Sequence, residues 1–165
     1  SDGSFELLRD IHKADSRFKV LQFSRNFGHQ VAISAGMEHA RGDAVILMDG
    51  DLQDPPEVLP EMVDQWKRGY EVVYAVKKSR KENWPKRFAF TLFYRVLNFL
   101  SAIEIPMDAG NFSLLDRRVV EVFRDMPERN RYISGMRAWA GFKQVGIHYA
   151  KEPRFAGKTR WSDQR

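Results

Sequence analysis

Short runs of β-branched and aliphatic residues alternate along the chain with longer stretches of helical periodicity, the pattern of a layered α/β domain with a mostly parallel sheet. A helix is expected over 5–14, entered from Ser1-Asp2-Gly3-Ser4 with Asp2 or Ser4 as cap. A strand follows over 19–23, then a helix near 30–40 that Gly42 stops. The apolar run Ala44-Val45-Ile46-Leu47-Met48 reads as a strand buried on both faces. Asp54-Pro55-Pro56-Glu57 looks like an aspartate cap with prolines in the first turn, and Val58, Leu59, Met62, Val63 and Trp66 then recur at helical spacing until Gly69.

Downstream, 72–76 reads as a strand and 84–101 as a long helix without glycine. Asp108-Ala109-Gly110-Asn111 is expected to form a loop, 112–115 a strand, 117–124 a short helix and 132–140 another. Val145, Ile147 and Tyr149 alternate as a half-exposed strand, and the chain turns polar beyond Pro153. The opening residues suit a turn that a strand would precede, so the chain reads as a fragment, incomplete at its N-terminus.

Composition narrows the chemistry. The 165 residues, 43% hydrophobic and 13% aromatic, suffice for one folded domain rather than a disordered segment. No apolar run approaches the roughly 20 residues of a bilayer span. The absence of cysteine excludes disulfides, thiolate metal sites and a cysteine nucleophile. Lys plus Arg number 27 against 22 Asp plus Glu, and the net charge of +5 favours an anionic partner.

That charge is concentrated. Lys77-Lys78-Ser79-Arg80-Lys81-Glu82-Asn83-Trp84-Pro85-Lys86-Arg87 holds six basic residues and one acid, a net +5 that equals the whole chain's. It leads into a helix rich in Phe and Leu, which suits an interfacial element facing anionic lipid. A core helix behind a solvated basic loop fits the pattern as well. Nucleic-acid binding is disfavoured, since the acidic loop described next would repel a phosphate backbone unless metal were bound.

The strongest local signal is Asp49-Gly50-Asp51-Leu52-Gln53-Asp54, between a buried strand and a helix. Ligands of open α/β sheets gather at the carboxyl ends of strands. Asp49 and Asp51, with Gly50 letting the backbone turn, suit one hard divalent cation, Mg²⁺ or Mn²⁺, and Gln53 can add a neutral oxygen. Two adjacent carboxylates repel each other unless a cation offsets them. Asp54 is explained as the helix cap. Aspartyl-nucleophile phosphatases also use D-x-D, but they want Thr or Val where Gln53 stands. Neither G-x-G-x-x-G nor G-x-x-x-x-G-K-[ST] is present, and His12, His29, His39 and His148 lack ligand spacing.

Together these residues resemble family 2 glycosyltransferases of the GT-A fold, in the branch similar to dolichol-phosphate mannosyltransferase and bacterial polyprenyl-phosphate glycosyltransferases. The resemblance rests on Phe23-Ser24-Arg25-Asn26-Phe27-Gly28, Ala35-Gly36 with Ala40-Arg41-Gly42-Asp43, and the run from Met48 to Glu57. It extends through Arg80, Asp108-Ala109-Gly110-Asn111-Phe112, Leu115-Asp116-Arg117-Arg118 and Pro127-Glu128-Arg129-Asn130-Arg131. It implies a partial catalytic domain over 1–157 and a polar tail over 158–165.

The resemblance further implies a nucleotide-sugar donor whose diphosphate is held through Mg²⁺ or Mn²⁺ by Asp49, Asp51 and Gln53. A polyprenyl phosphate would attack the anomeric carbon with inversion, Asp51 serving catalysis through the metal. Because the acceptor is already an anion, no strong base is needed, and Asp108 becomes a base or an acceptor-orienting group. Arg25, Arg80 and Arg87 would bind donor or acceptor phosphate, where guanidinium forks match paired oxygens. The family's P-x-Y-N-E-like segment and D-D-G-S turn, which grip the nucleotide, would lie at or before Ser1-Asp2-Gly3-Ser4. The expected setting is the cytoplasmic face of a membrane, with self-association left open and no nucleic-acid partner. Rival readings are a nucleotidyltransferase of similar fold and a non-catalytic basic module that binds membrane or nucleic acid.

Overall fold

In the computed structural model, residues 3–51, 53–77, 109–128 and 131–149 are described. They fall in two compact units, Ser1–Ala40 and Arg41–Arg165. The expected helix over 84–101, the basic segment beyond Lys77 and the tail lie outside the described residues.

The first unit contains helix α1 (Ser4–Ala14) and helix α2 (His29–His39). Gly3 occupies the position before α1 with φ +76°, a left-handed conformation natural to glycine, so the expected cap Ser4 stands inside the helix, and Asp2, the other expected cap, lies outside the described residues. A bidentate Arg17–Asp15 pair follows α1. The strand expected over 19–23 does not form: these residues are irregular and pair with no strand among the described residues. Strand propensity expresses itself only through a hydrogen-bonding neighbour. Helix α2 ends where Ala40 turns extended, two residues before Gly42.

The second unit is a sheet covered on both faces. Its strands are β1 (Ala44–Leu47), β2 (Val72–Lys77), β3 (Ala109–Asp116) and β4 (Gln144–Tyr149), in the order β1-β3-β2-β4. The α/β expectation holds: β1, β2 and β4 run one way. Strand β3 runs against them, so β1–β3 and β2–β3 pair antiparallel and β2–β4 parallel. β3 begins at Ala109, where a loop was expected, because Ala109 pairs with Val76.

Alternation along the strands sorts side chains to two faces. Val73, Ala75, Phe112, Leu114, Ile147 and Tyr149 face Met62 of helix α3 (Leu59–Lys67). The opposite face carries Val72, Ser113 and Leu115, which the alternation turns toward helix α4 (Arg117–Asp125) and helix α5 (Ile133–Trp139). Val119, Val120, Phe123, Ile133 and Met136 are the buried apolar residues of those two helices. β1 is less buried than expected: Ala44, Val45 and Ile46 are half-buried and only Leu47 is buried. It pairs with one strand among the described residues, β3. β4 alternates as expected, with Ile147 and Tyr149 buried and His148 between them exposed.

Polar contacts fasten the end of the sheet where β3 finishes. The backbone of Glu71 bonds both Asp116 N–H, at 2.8 Å, and Lys143 C=O, at 2.9 Å, while its carboxylate accepts from Lys143 N–H at 3.0 Å. Asp116 caps α4 by accepting from the Arg118 N–H and also accepts from Trp66 Nε1 at 2.8 Å, tying α3 to the strand end. Burial pushes the Asp116 carboxyl up, but the bonds from Trp66 and from Arg118 outweigh it and hold the group below the ordinary carboxylate range.

Replacing Asp116 by Ala removes the cap and strands the Trp66 donor, and urea denaturation is expected to show a loss of about 1–2 kcal/mol near neutral pH. The folded pKa is depressed, so this contribution is complete above the unfolded value of about 3.9 and fades as pH falls through the folded one. The difference between wild type and Asp116→Ala should therefore shrink in acid.

Candidate functional site

The carboxyl ends of β1, β2 and β4 lie at the same end of the sheet as the beginning of β3, and there the acidic loop leaves β1. Met48 and Asp49 are exposed, Gly50 and Asp51 form a turn, and Asp51 and Gln53 are half-buried. Asp51 Oδ1 accepts from the Gln53 N–H at 3.1 Å, an Asx-type turn that fixes the second carboxylate against the backbone. The structure thus brings Asp49, Asp51 and Gln53 together in one short loop. Gly50 has open space where a side chain would stand, so its use lies in the turn rather than in close packing.

Asp54 is not the cap it was expected to be. Pro55 and Pro56 supply no N–H for it to accept, the chain enters a 3₁₀ turn at Pro56–Val58, and Val58 precedes α3 without a side-chain cap. The carboxylate turns inward instead. Asp54 is 5% exposed and Tyr149, at the end of β4, is 4% exposed, and the Tyr149 hydroxyl donates to Asp54 Oδ1 at 2.7 Å. The Phe112 ring packs edge-on against Tyr149, with centroids 5.6 Å apart.

Burial pushes the Tyr149 hydroxyl well above the usual phenol value, and the bond to Asp54 and the charges of Asp54, Asp49 and Asp51 raise it further. Tyr149 therefore stays protonated and a donor throughout the physiological range. The influence of Asp49 and Asp51 also places their charges near this hydroxyl. The sequence marked Tyr149 only as an inward strand position, and its hydroxyl beside a cluster of aspartates carried no local signal.

Asp49 and Asp51 are hard oxygen donors, the type that Mg²⁺ and Mn²⁺ prefer. Among the described residues, no three His, Asp or Glu side chains gather where they could share a metal ion. That donor set suits a cation completed by ligand phosphates and water, as Mg²⁺ commonly is, rather than a closed protein cage. Arg25 lies in the irregular part of the first unit, exposed, with its guanidinium 4.7 Å from the centre of the Phe27 ring. Arg80, Arg87 and Asp108 lie outside the described residues.

A mixed, covered sheet with an acidic loop beyond a strand end defines a layered α/β domain, a class whose ligands gather at the carboxyl ends of the strands. The chain belongs to glycosyl transferase family 2, whose sequence profile matches residues 1–123. Its fold is accordingly GT-A. It is similar to the uncharacterized glycosyltransferase YkcC of Bacillus subtilis (strain 168), 47% identical over 161 residues that make up 97% of this chain and 50% of that protein. It is also similar to the uncharacterized glycosyltransferase sll0501 of Synechocystis, 43% identical over 98% of this chain and 51% of the relative. The prophage bactoprenol glucosyl transferase homolog of Escherichia coli (strain K12) is 36% identical over 98% of this chain and 53% of its own length. The chain spans about half the length of these curated relatives. Among the described residues, no helix is long and apolar enough to cross a membrane.

Replacing Tyr149 by Phe leaves the buried Asp54 carboxylate without this donor. Equilibrium unfolding of Tyr149→Phe is expected to show a loss of about 1–3 kcal/mol, and an unchanged stability would mean that the bond does not hold the loop.

Proposed function

We propose that the protein transfers a sugar from a nucleotide-sugar donor to a polyprenyl phosphate, with inversion at the anomeric carbon, at the cytoplasmic face of a membrane. The observation that carries this reading is the D-x-D loop at the carboxyl end of β1, backed by the Asp54–Tyr149 bond, in a chain of glycosyl transferase family 2. The relative named as a bactoprenol glucosyl transferase homolog supports the polyprenyl class of acceptor.

In this reading Asp49, Asp51 and Gln53 hold Mg²⁺ or Mn²⁺, which when bound offsets the negative charge that collects on the departing nucleoside diphosphate. Asp54 and Tyr149 keep the loop in place, so that little reorganisation accompanies the reaction. The acceptor oxygen is already anionic, so Asp108 serves to orient it rather than to remove a proton. Arg25, Arg80 and Arg87 bind phosphate oxygens of donor or acceptor. The basic run from Lys77 to Arg87 meets the anionic membrane in which the acceptor resides.

The test is sugar transfer from a nucleotide sugar to a short polyprenyl phosphate by the full-length protein, with and without Mg²⁺ or Mn²⁺. Asp51→Ala is expected to lower kcat/KM by about a hundredfold or more, the scale of losing one preorganised electrostatic contact to a leaving group, and chelation should do the same. Transfer that ignores both changes would reject the role given to the loop. Release of pyrophosphate instead of nucleoside diphosphate would point to nucleotidyl transfer.

A further inference from the structure

Helix α5 buries a cation that the reaction described above does not use. Ile133, Ser134, Met136 and Arg137 are its buried residues, and their i, i+3, i+4 spacing puts Arg137 on the inward stripe. Arg137 is 0% exposed. Its Nη1 donates one long bond, 3.4 Å, to the carbonyl of Gly110, and its guanidinium stacks 4.8 Å from the centre of the Tyr74 ring. Nε and Nη2 have no hydrogen-bond partner among the described residues. Burial lowers the Arg137 pKa to about 10, against the opposing influence of Tyr74 and Tyr132, so the group remains a cation at neutral pH.

The two unmatched nitrogens are not an arbitrary pair. Nε–H and Nη2–H point the same way along one edge of the guanidinium, and that edge is the fork that takes two oxygens of a phosphate or carboxylate at once. An unpaired buried charge is among the costlier features a fold can carry, and one with its fork left unmatched points to an anion that arrives from outside the described residues.

The surroundings are those of a ligand site. Between the Tyr74–Ser113 and Val76–Ala109 pairs the register advances two residues along β2 and four along β3, so β3 carries two extra residues here. Gly110, which receives the Arg137 bond, and Asn111, whose Oδ1 accepts from buried Ser134 Oγ at 3.4 Å, both lie in this bulge. Bulges of this kind recur beside active sites, where they redirect side chains. Because Leu47 pairs with Ser113, the bulge stands at the sheet end where the D-x-D loop leaves β1. Tyr74 and Arg137 occupy the face opposite Asp54 and Tyr149.

We propose that the Arg137 fork, flanked by Ser134 and the Gly110–Asn111 bulge, is a second anion site at the catalytic end of the sheet, and that its occupant is a phosphate group of a transfer ligand. The identity of the ligand rests on the proposed function; the existence of the site does not. The two sources of that phosphate are the polyprenyl phosphate acceptor and the nucleoside diphosphate of the donor.

The experiment uses the full-length protein, with calorimetry and thermal melts against inorganic phosphate, a short polyprenyl phosphate and a nucleoside diphosphate, for wild type, Arg137→Met and Arg137→Lys. Millimolar inorganic phosphate should raise the Tm of the wild type and leave that of Arg137→Met unmoved. Arg137→Met should bind one of the two organic ligands about tenfold or more weakly, the scale of a lost bidentate charged contact. The ligand so weakened identifies the source. Its ligand-free Tm should match or exceed the wild type's, since an unmatched buried charge is gone. Arg137→Lys, which keeps the charge and loses the fork, should fall between them.

Unchanged affinity for all three probes in Arg137→Met, with a lowered Tm, would make the residue structural and overturn the proposal. If Arg137→Met does not fold, unchanged affinities in Arg137→Lys overturn it equally. Asp51→Ala separates the two readings. Its phosphate binding through Arg137 should persist although its transfer is lost; a wild type that binds phosphate through Arg137 yet transfers no sugar supports the site and sinks only the function, whereas normal transfer with no Arg137-dependent binding sinks only the site.

Discussion

A hydrogen bond between residues 95 positions apart, from the Tyr149 hydroxyl to the buried carboxylate of Asp54, joins the last described strand to the loop that follows the first. β1 and β4 stand at opposite ends of the strand order, so the bond reaches across the sheet at its carboxyl end. Both partners are buried, where a charge-assisted bond gains strength and an unmatched carboxylate would be costly. Asp49 and Asp51 lie a few residues before Asp54, so the bond anchors the far end of the loop that carries them. Burial first, then the bond to Asp54 and the aspartate charges, keeps the phenol protonated and able to donate.

The reversed strand β3 gives the two ends of the sheet different tasks. Its finish, at Asp116, is bonded to Glu71 and Trp66 and leads directly into α4, so that end is fastened by backbone bonds and a capped helix. The Arg118–Glu71 pair there is largely solvent-exposed on the arginine side and contributes little beside these bonds. Its beginning, at Ala109 to Asn111, is irregular, carries the extra residues, and sits beside Arg137. Regular bonding is concentrated at one end of the strand and irregularity at the other, and functional sites tend to accept local irregularity that the rest of the fold supports.

Much of this was legible in the sequence because the signals are local. The helical spacing of Met62 and Trp66, the strand character of Val72 to Val76 and the D-x-D loop at a strand end all follow from residues a few positions apart. The misread features depend on partners distant in the chain. Residues 19–23 have strand character but no strand neighbour in the described structure, and the antiparallel direction of β3 is invisible to composition. Asp54 shows the limit most clearly: its context matches a helix cap, yet two prolines remove the nearest donors and a tyrosine 95 residues away supplies one. Arg137 offered a faint signal, a cation on the inward stripe of a helix otherwise lined by Ile133 and Met136.

The central claim is that the loop at residues 49–51 holds the cation that meets a donor diphosphate. The most direct measurement is anomalous diffraction from crystals of the full-length protein grown with Mn²⁺ and a nucleoside diphosphate. The account predicts one manganese peak within coordination distance of carboxylate oxygens of Asp49 or Asp51 and of the diphosphate, with Tyr149 still bonded to Asp54. A diphosphate bound with its manganese away from this loop, or bound with both carboxylates facing bulk water, would contradict it.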